Sequence, residues 1–582
     1  MKKILAICLL SFAFITKAQE KNDSIKKNKL KVFGSFESNA QWYTNDVNRK
    51  IKHDTVPLRS NNYLALNANY GKFTVGTQIE SYVNNALLNF NPLYRKTDFG
   101  TYFANYKSNK LEVTLGHFYE QFGSGLALRS WEDRALGINN AIRGVRVNYT
   151  PIEGISLTSL YGRHRAGFEV GKGDIFGFNT NISLSKLFKK DNFDLAYGFS
   201  YVSRTDKLPT EVKNINETTN VFSNRLEFSK NAFYINSEYV FKSEDAIIDL
   251  GDLNYDFVKP GNALLINFGY SKKGLGFDAT LRRIENMQFL SERKPQAYTQ
   301  FLSTSINYND RIMNFVPSLT KQHHSNLANI YVYQAQSQVI LNESTQTNKS
   351  GEIGGQFDVF YDFKKGSTIG GKYGTKIAVN VSTWYNLKAK YRYYDANGDY
   401  KPDYQAEFFG SKEKYFSDYN IEIVKKLSSK VKTSFSYINQ YYNNQQIQGV
   451  FQNFLIKTNI VSSETTILFN NSKSLTIGAE HMWADNDRKT WVGGSFEYNH
   501  NANWSIFFFY MFNYGFDEDS QLINETDLFD IHFYNFGTAY KKGSTRIALN
   551  YGRQRGGLVC AGGVCRFVPP STGLGLQITT SF

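Results

Sequence analysis

Along most of the chain, hydrophobic and polar side chains alternate one by one. In 193–201, Phe193, Leu195, Tyr197, Phe199 and Tyr201 fall on one face, and Asp194, Ala196, Gly198 and Ser200 on the other. Leu64, Leu66, Ala68 and Tyr70 oppose Ala65, Asn67 and Asn69. Phe73, Val75 and Ile79 oppose Thr74, Gln78 and Glu80. Leu264, Ile266, Phe268 and Tyr270 oppose Asn267 and Gly269, and Ile377, Val379 and Val381 oppose Ala378, Asn380 and Ser382. A period of two is that of a β-strand, whose successive side chains point to opposite faces.

Two further features separate a membrane barrel from a soluble sandwich. The alternating segments run to about ten residues, the length a tilted strand needs to cross a bilayer, whereas strands of globular proteins average about five or six. Their connections alternate between short (Gly71-Lys72, Ser108-Asn109, 189–192, Lys230-Asn231, 271–274, 541–544) and long (44–60, 84–98, 120–140, 242–261, 387–413, 514–530, 553–571). Barrels keep short turns on the periplasmic side and long loops outside. The pattern predicts an all-β fold: a single large transmembrane antiparallel β-barrel over residues 31–582, with about 26 strands (roughly 22 to 28). Its last strand alternates through Leu574, Leu576, Ile578, Thr580 and a terminal Phe582. Leu576, Ile578, Thr580 and Phe582 look like the signal by which the barrel assembly machinery takes up its clients.

Composition agrees. Aromatics make up 16% of the residues, with 47 Phe and 39 Tyr, yet the mean hydropathy is −0.43. A chain that is polar on average but rich in aromatic rings suits a greasy outer wall around a wet interior. No apolar run is long enough for a transmembrane helix. Residues 1–18 predict a signal peptide, with Lys2 and Lys3 before an apolar stretch from Ile4 to Ile15 and a cut after Ala18. Cys8, preceded by a bulky Ile7, belongs to that leader. Residues 19–30 form a short polar periplasmic tail without a plug domain or an energy-coupling motif, which argues against a TonB-dependent transporter. The formal charge of +15 is accounted for by Lys-rich turns, or by attraction of anionic solutes and of lipopolysaccharide phosphates. Nucleic-acid binding does not suit an exported chain.

The third long loop carries Arg129, Glu132, Asp133 and Arg134. In porins this loop folds into the lumen, where opposed acids and bases make a constriction. The same four residues could instead pin the loop to the inner wall and close the pore. Charges of lumen parity (Glu80, Glu112, Arg146, Asp194, Asp278, Arg282) indicate a wet interior. Residues 308–329 fall on the periplasmic side by parity but are too long for a turn, which suggests an inward-folded or partner-docking segment. Its His323 and His324 are adjacent and cannot chelate one ion together. Asp395, Asn397, Asp399 and Asp403 have the spacing of extracellular calcium loops, though the expected twelfth-position acid falls on Ala406. An Asp-rich polar turn is the alternative, and no other cofactor is expected. Cys560 and Cys565, in the last external loop, are expected to form a disulfide. No nucleophile elbow, HExxH or phosphate-binding loop is present, so no enzyme is expected.

The segments 119–140, 315–333 (with PSLTKQHHSNLANIY within it) and 560–572 (CAGGVCRFVPPST) resemble a family of outer-membrane barrels of the Bacteroidota that carries only a domain of unknown function. The resemblance implies fold and location but no activity, and it favours the two cysteines as a shared structural feature. The function expected is a porin-like channel for polar solutes with inward-folded loops. The alternative is a non-conducting scaffold or assembly subunit holding outer-membrane protein partners. Outer-membrane lipid and lipopolysaccharide would surround the wall.

Overall fold

A computed structural model describes residues 29–52, 56–88, 94–208, 215–249, 252–293, 311–344, 347–451, 454–470, 472–515, 531–561 and 564–582. The expected leader and all but the last two residues of the tail 19–30 lie outside the described residues. Within them, 24 strands close into one antiparallel barrel, with one extra short strand, Glu169–Val170, paired to its rim. The seam joins the first strand, Lys31–Tyr43, to the last, Ser571–Ser581. Phe36 lies opposite Thr580, Ser38 opposite Ile578 and Ala40 opposite Leu576. Gly34 and Phe582 exchange backbone hydrogen bonds of 2.8 and 3.0 Å across the same seam. Leu576, Ile578 and Thr580 therefore sit on the closing strand and Phe582 directly follows it, and pairing that strand leaves the sheet without a free edge.

The burial pattern is inverted relative to a soluble protein. On the strand Thr218–Lys230, Phe222 and Leu226 are exposed while Ser223 and Arg225 are buried. On Ser474–Ala484, Ile477 is 47% exposed and Glu480 only 9%. Repeated around the wall, this arrangement is stable only with hydrocarbon outside and polar contacts within. The protein is a β-barrel of the bacterial outer membrane.

The short connections predicted from sequence all fall at the end of the barrel that holds the start of the first strand, and the long ones at the other end. Two of the long ones are not irregular loops. The strands Phe233–Asp249 and Asp252–Lys272 continue through most of 242–261, and Thr375–Tyr394 and Tyr400–Lys426 through 387–413. At 21 and 27 residues, Asp252–Lys272 and Tyr400–Lys426 far exceed the length needed to span. Both hairpins therefore stand beyond the membrane on the long-loop side.

The 24 strands of the closed barrel fall within the expected range of roughly 22 to 28. Among the described residues no strand lies between Leu275–Glu285 and Glu352–Phe363. Leu275–Glu285 ends at the long-loop side, so of the expected segment 308–329 the described residues, 311–329, enter from outside, not from the periplasm. Its pieces have strand-like composition but are held by tertiary contacts instead of by a ladder.

Candidate functional site in the filled lumen

Two connections fold into the lumen and divide its inner wall between them. The first, around 119–141, places Phe122, Leu126, Ala127 and Leu128 against Leu160, Ile175, Val202, Val221 and Val240 of the wall. Gly125 adopts a positive φ of 95°, and its carbonyl accepts a 2.8 Å bond from Phe315 N–H of the second insert. The charged turn that follows is tied to neighbouring strands. Arg134 donates to Glu37 at 2.5 Å, to Gln78 at 2.9 Å and to Glu132 at 3.3 Å, and Glu132 also accepts from Gln78 at 2.9 Å. Asp133 accepts from the Leu136 N–H at 2.8 Å. Arg129 lies over the rings of Trp131 and Phe315. The four candidate constriction residues thus do not face one another across open water. Three are engaged with the wall or the turn itself, and Arg129 is stacked between aromatic rings.

The second insert comprises the described residues 286–293, 311–344 and 347–351. Its Leu327, Ala328, Ile330, Tyr331 and Tyr333 share a core with Trp384, Phe416, Ile438, Tyr442, Ile460 and Trp491 of the facing wall. These wall positions alternate with lipid-exposed ones such as Phe435 and Tyr437, so the insert lies inside. Tyr333 stacks on Phe416 and Trp384 with centroids 5.1 and 5.9 Å apart. Glu352 is a buried hub. It accepts from Arg282 at 2.5 Å, from the Gln336 N–H at 2.7 Å and from the Tyr333 hydroxyl. Burial and this carboxylate push the Tyr333 hydroxyl well above its ordinary value, which keeps it a donor. Arg282 also donates to the Pro317 carbonyl. Near the start of the insert, Asp245 receives both Arg204 and Arg293 at 2.7 Å. Val339 and Leu341 pack against Ile247, Phe257 and Tyr404 of the two protruding hairpins.

The stretch 317–333 crosses the lumen along a ladder of inward polar side chains. Lys321 donates to Glu422 at 3.0 Å and Asn420 at 3.2 Å. His323 lies 2.8 Å from Asp418, which also accepts from Gln440 and Asn420. Ser325 donates to Glu480 at 2.6 Å. A hollow lies on each side of this crossing. The outer one, about 670 Å³, is bounded by 315–333, by Phe416, Asp418 and Gln440, and by Arg555, Gly556 and Leu558 of the last external connection. The inner one, about 70 Å³, is lined by Ser434, Ser436, Ser462, Glu464 and Ser495 and lies toward the short-turn end. Lys321 and His323 belong to the walls of both. The two hollows therefore meet at the Lys321–Glu422 and His323–Asp418 pairs.

The remaining predicted residues are dispersed. Asp395, Asn397 and Asp399 form the tip of the second protruding hairpin, where the Asp395 carboxylate accepts from the N–H groups of Asn397 and Asp399 at 2.8 and 3.1 Å. Asp403 is turned to Lys259 at 2.5 Å and Arg392 at 3.3 Å. Among the described residues no group of three or more His, Cys, Asp or Glu could hold a metal ion. Cys560 and Cys565 occupy directly opposed positions of a small hairpin, Gly557–Ala561 with Val564–Val568. That hairpin reaches the lumen filling: Arg566 donates to the Leu136 carbonyl at 2.5 Å. Of the lumen-parity charges, Glu80 is paired with Arg165 at 2.6 Å, Arg146 with Glu112 at 3.1 Å, and Asp278 accepts from Tyr234 and Asn267. Asp194 accepts from Ser229 at 3.4 Å.

The sequence reading missed Glu352, Asp418, Glu422, Glu480 and Arg555. The first four sit at inward positions of alternating strands, a signal that was available. Arg555 lies in an irregular connection, where no periodicity marks it.

The profile of a family of unknown function (DUF6029) matches residues 1–582. No curated protein matches the chain. Among solved structures, the P pilus usher PapC translocation pore is 8% identical, with 95% of this chain and 99% of that chain covered and a TM-score of 0.39. The ferric enterobactin receptor PfeA of Pseudomonas aeruginosa is 10% identical over 96% and 82% of the two chains, with a TM-score of 0.42. OccK5 (OpdH) of Pseudomonas aeruginosa is 12% identical over 75% and 97%, with a TM-score of 0.34. The likeness extends no further than the barrel form.

Proposed function

The chain belongs to that family of unknown function, DUF6029, and we propose that within it this protein is a porin-like channel for polar solutes, held nearly closed at rest by its own inserts. The observation that carries the reading is the pair of hollows meeting at Lys321 and His323. A solute entering from outside reaches the outer hollow, passes between 317–333 and the inward ladder of Asp418, Asn420 and Glu422, and leaves through the serine-lined chamber. The closing contacts are side-chain hydrogen bonds and ion pairs, which exchange readily with water or a polar solute. The larger aromatic core around Tyr333 and Trp384 holds the rest of the insert in place.

Planar-bilayer recording of the purified barrel tests the route. The wild type is expected to give small, infrequent openings. Replacing 318–329 by a Gly-Ser linker is expected to give steady ohmic conductance about tenfold larger, as polar lumen is freed. Silence from both proteins would sink the reading.

The second reading is a scaffold or assembly subunit. It is favoured by the wall bulge between Leu387 and Ala389 on one strand and Gly410 and Ala406 on the next. There Phe408 and Phe409 stand 53% and 71% exposed. A silent barrel that co-purifies with other outer-membrane proteins, and loses them in Phe409→Ser, would support it.

A further inference from the structure

The channel reading says where solutes pass; the make-up of the outer hollow says which class is retained there. Its volume of about 670 Å³ falls within the range of small-molecule sites, about 300–1,000 Å³. Phe315, Leu319, Val332, Phe416 and Leu558 give it apolar walls. A small, fully hydrated inorganic ion gains little in such surroundings.

Among the described residues, one cation reaches the hollow without a hydrogen-bonded or ion-paired acid. Among the described residues, the Arg555 guanidinium makes no hydrogen bond or ion pair. The acids around it are already engaged: Asp418 by His323, Gln440 and Asn420, and Asp487 by the Tyr331 hydroxyl at 2.8 Å. Arg49 donates to the carbonyls of Gln554 and Arg555 at 2.7 and 3.2 Å. It fixes that turn of chain and adds positive potential behind it. Burial, followed by the neighbouring Arg488, brings the Arg555 guanidinium down to about 9, only partly offset by Tyr331 and Asp487.

We propose that the outer hollow binds an amphipathic organic carboxylate, its anionic end on Arg555 and its apolar body between Phe416, Tyr331 and Leu558. The planar guanidinium fork matches a carboxylate through two parallel hydrogen bonds. One unpaired cation among the described lining suits a monoanion, and the flat aromatic and aliphatic walls suit a ring or a short chain.

Calorimetric titration of the full chain in detergent provides the test, with 4-phenylbutyrate, its neutral amide, acetate and inorganic phosphate as probes. Phenylbutyrate is expected to bind, and the amide about tenfold or more weakly, the ratio that ~1.4 kcal/mol of charge-assisted bonding gives. Arg555→Gln is expected to bring the acid to the affinity of the amide. Leu558→Trp, which fills the hollow, is expected to remove binding of both. The proposal is overturned if phenylbutyrate does not bind the wild type or the amide binds as well as the acid. It is likewise overturned if either variant retains wild-type affinity, or if acetate or phosphate equals phenylbutyrate. Conductance of the same preparation separates this failure from failure of the channel reading. A conducting barrel without binding leaves the channel standing, and a silent barrel that binds leaves the site standing.

Discussion

The Arg129 guanidinium lies 3.8 Å from the centre of the Phe315 ring and 4.2 Å from that of Trp131. Arg129 belongs to one inward-folded connection and Phe315 to the other, so this stack joins the two halves of the lumen filling. Two backbone bonds reinforce it: the Arg129 N–H to the Met313 carbonyl at 2.7 Å and the Phe315 N–H to the Gly125 carbonyl at 2.8 Å. A desolvated stack of this kind contributes up to ~2 kcal/mol. In Phe315→Ala the inserts should part more easily, with protease cutting within 311–333 at lower concentration and with more frequent channel openings. Unchanged proteolysis and conductance would remove the stack from the closing device.

Glu352 and Arg282 are both at most 1% exposed and share a 2.5 Å contact inside the wall. Neutralising one partner leaves the other charged and unpaired, which costs about 3–5 kcal/mol. Glu352→Gln should therefore lower the temperature at which the barrel band shifts on denaturing gels. The double change with Arg282→Met should recover part of the loss, because an apolar side chain needs no partner. A double variant less stable than Glu352→Gln would contradict this account.

Lys349, in the second insert, donates to Gln336 at 2.8 Å. Burial, partly offset by Glu413, brings its ammonium from 10.5 down to about 8. Between those pH values the unfolded chain holds the proton and the folded chain does not, so stability rises with pH from about 8 to 10.5. Below 8 both states are protonated, and the cost is constant at ~3 kcal/mol. Lys349→Met should be more stable than the parent at pH 7, by a margin that shrinks above pH 8 and is gone near 10.5. A margin independent of pH would show that the charge is not its source.

Cys560 and Cys565 face each other in the register of their hairpin. Thiol labelling of the denatured oxidised protein should find no free thiol at either position until a reductant is added. Two reactive thiols without reductant would rule out the bridge.

Phe582 exchanges two backbone bonds with Gly34 at the seam. Deleting it should reduce the assembled, heat-modifiable barrel in outer membranes several-fold, while barrel already assembled keeps its melting temperature. Normal assembly would mean that Leu576, Ile578 and Thr580 suffice or that the signal lies elsewhere.

The sequence by itself determined the wall. Alternation such as Phe193 to Tyr201, and turns such as Gly71-Lys72, are local properties, because a strand's facing and a tight turn's geometry depend on neighbours a few residues away. Only the tertiary structure decided what fills the barrel. An inward Glu or Asp looks the same whether it faces water or a partner far along the chain, as with Glu80 and Arg165 or Glu480 and Ser325. The described stretch 327–333 is strand-like in composition, and only its packing on Trp384, Phe416 and Tyr442 shows that it fills the barrel instead of joining the wall. Arg555 became a candidate site for the same reason: its significance lies in a shortage of partners around it, which is a property of three-dimensional surroundings rather than of sequence neighbours.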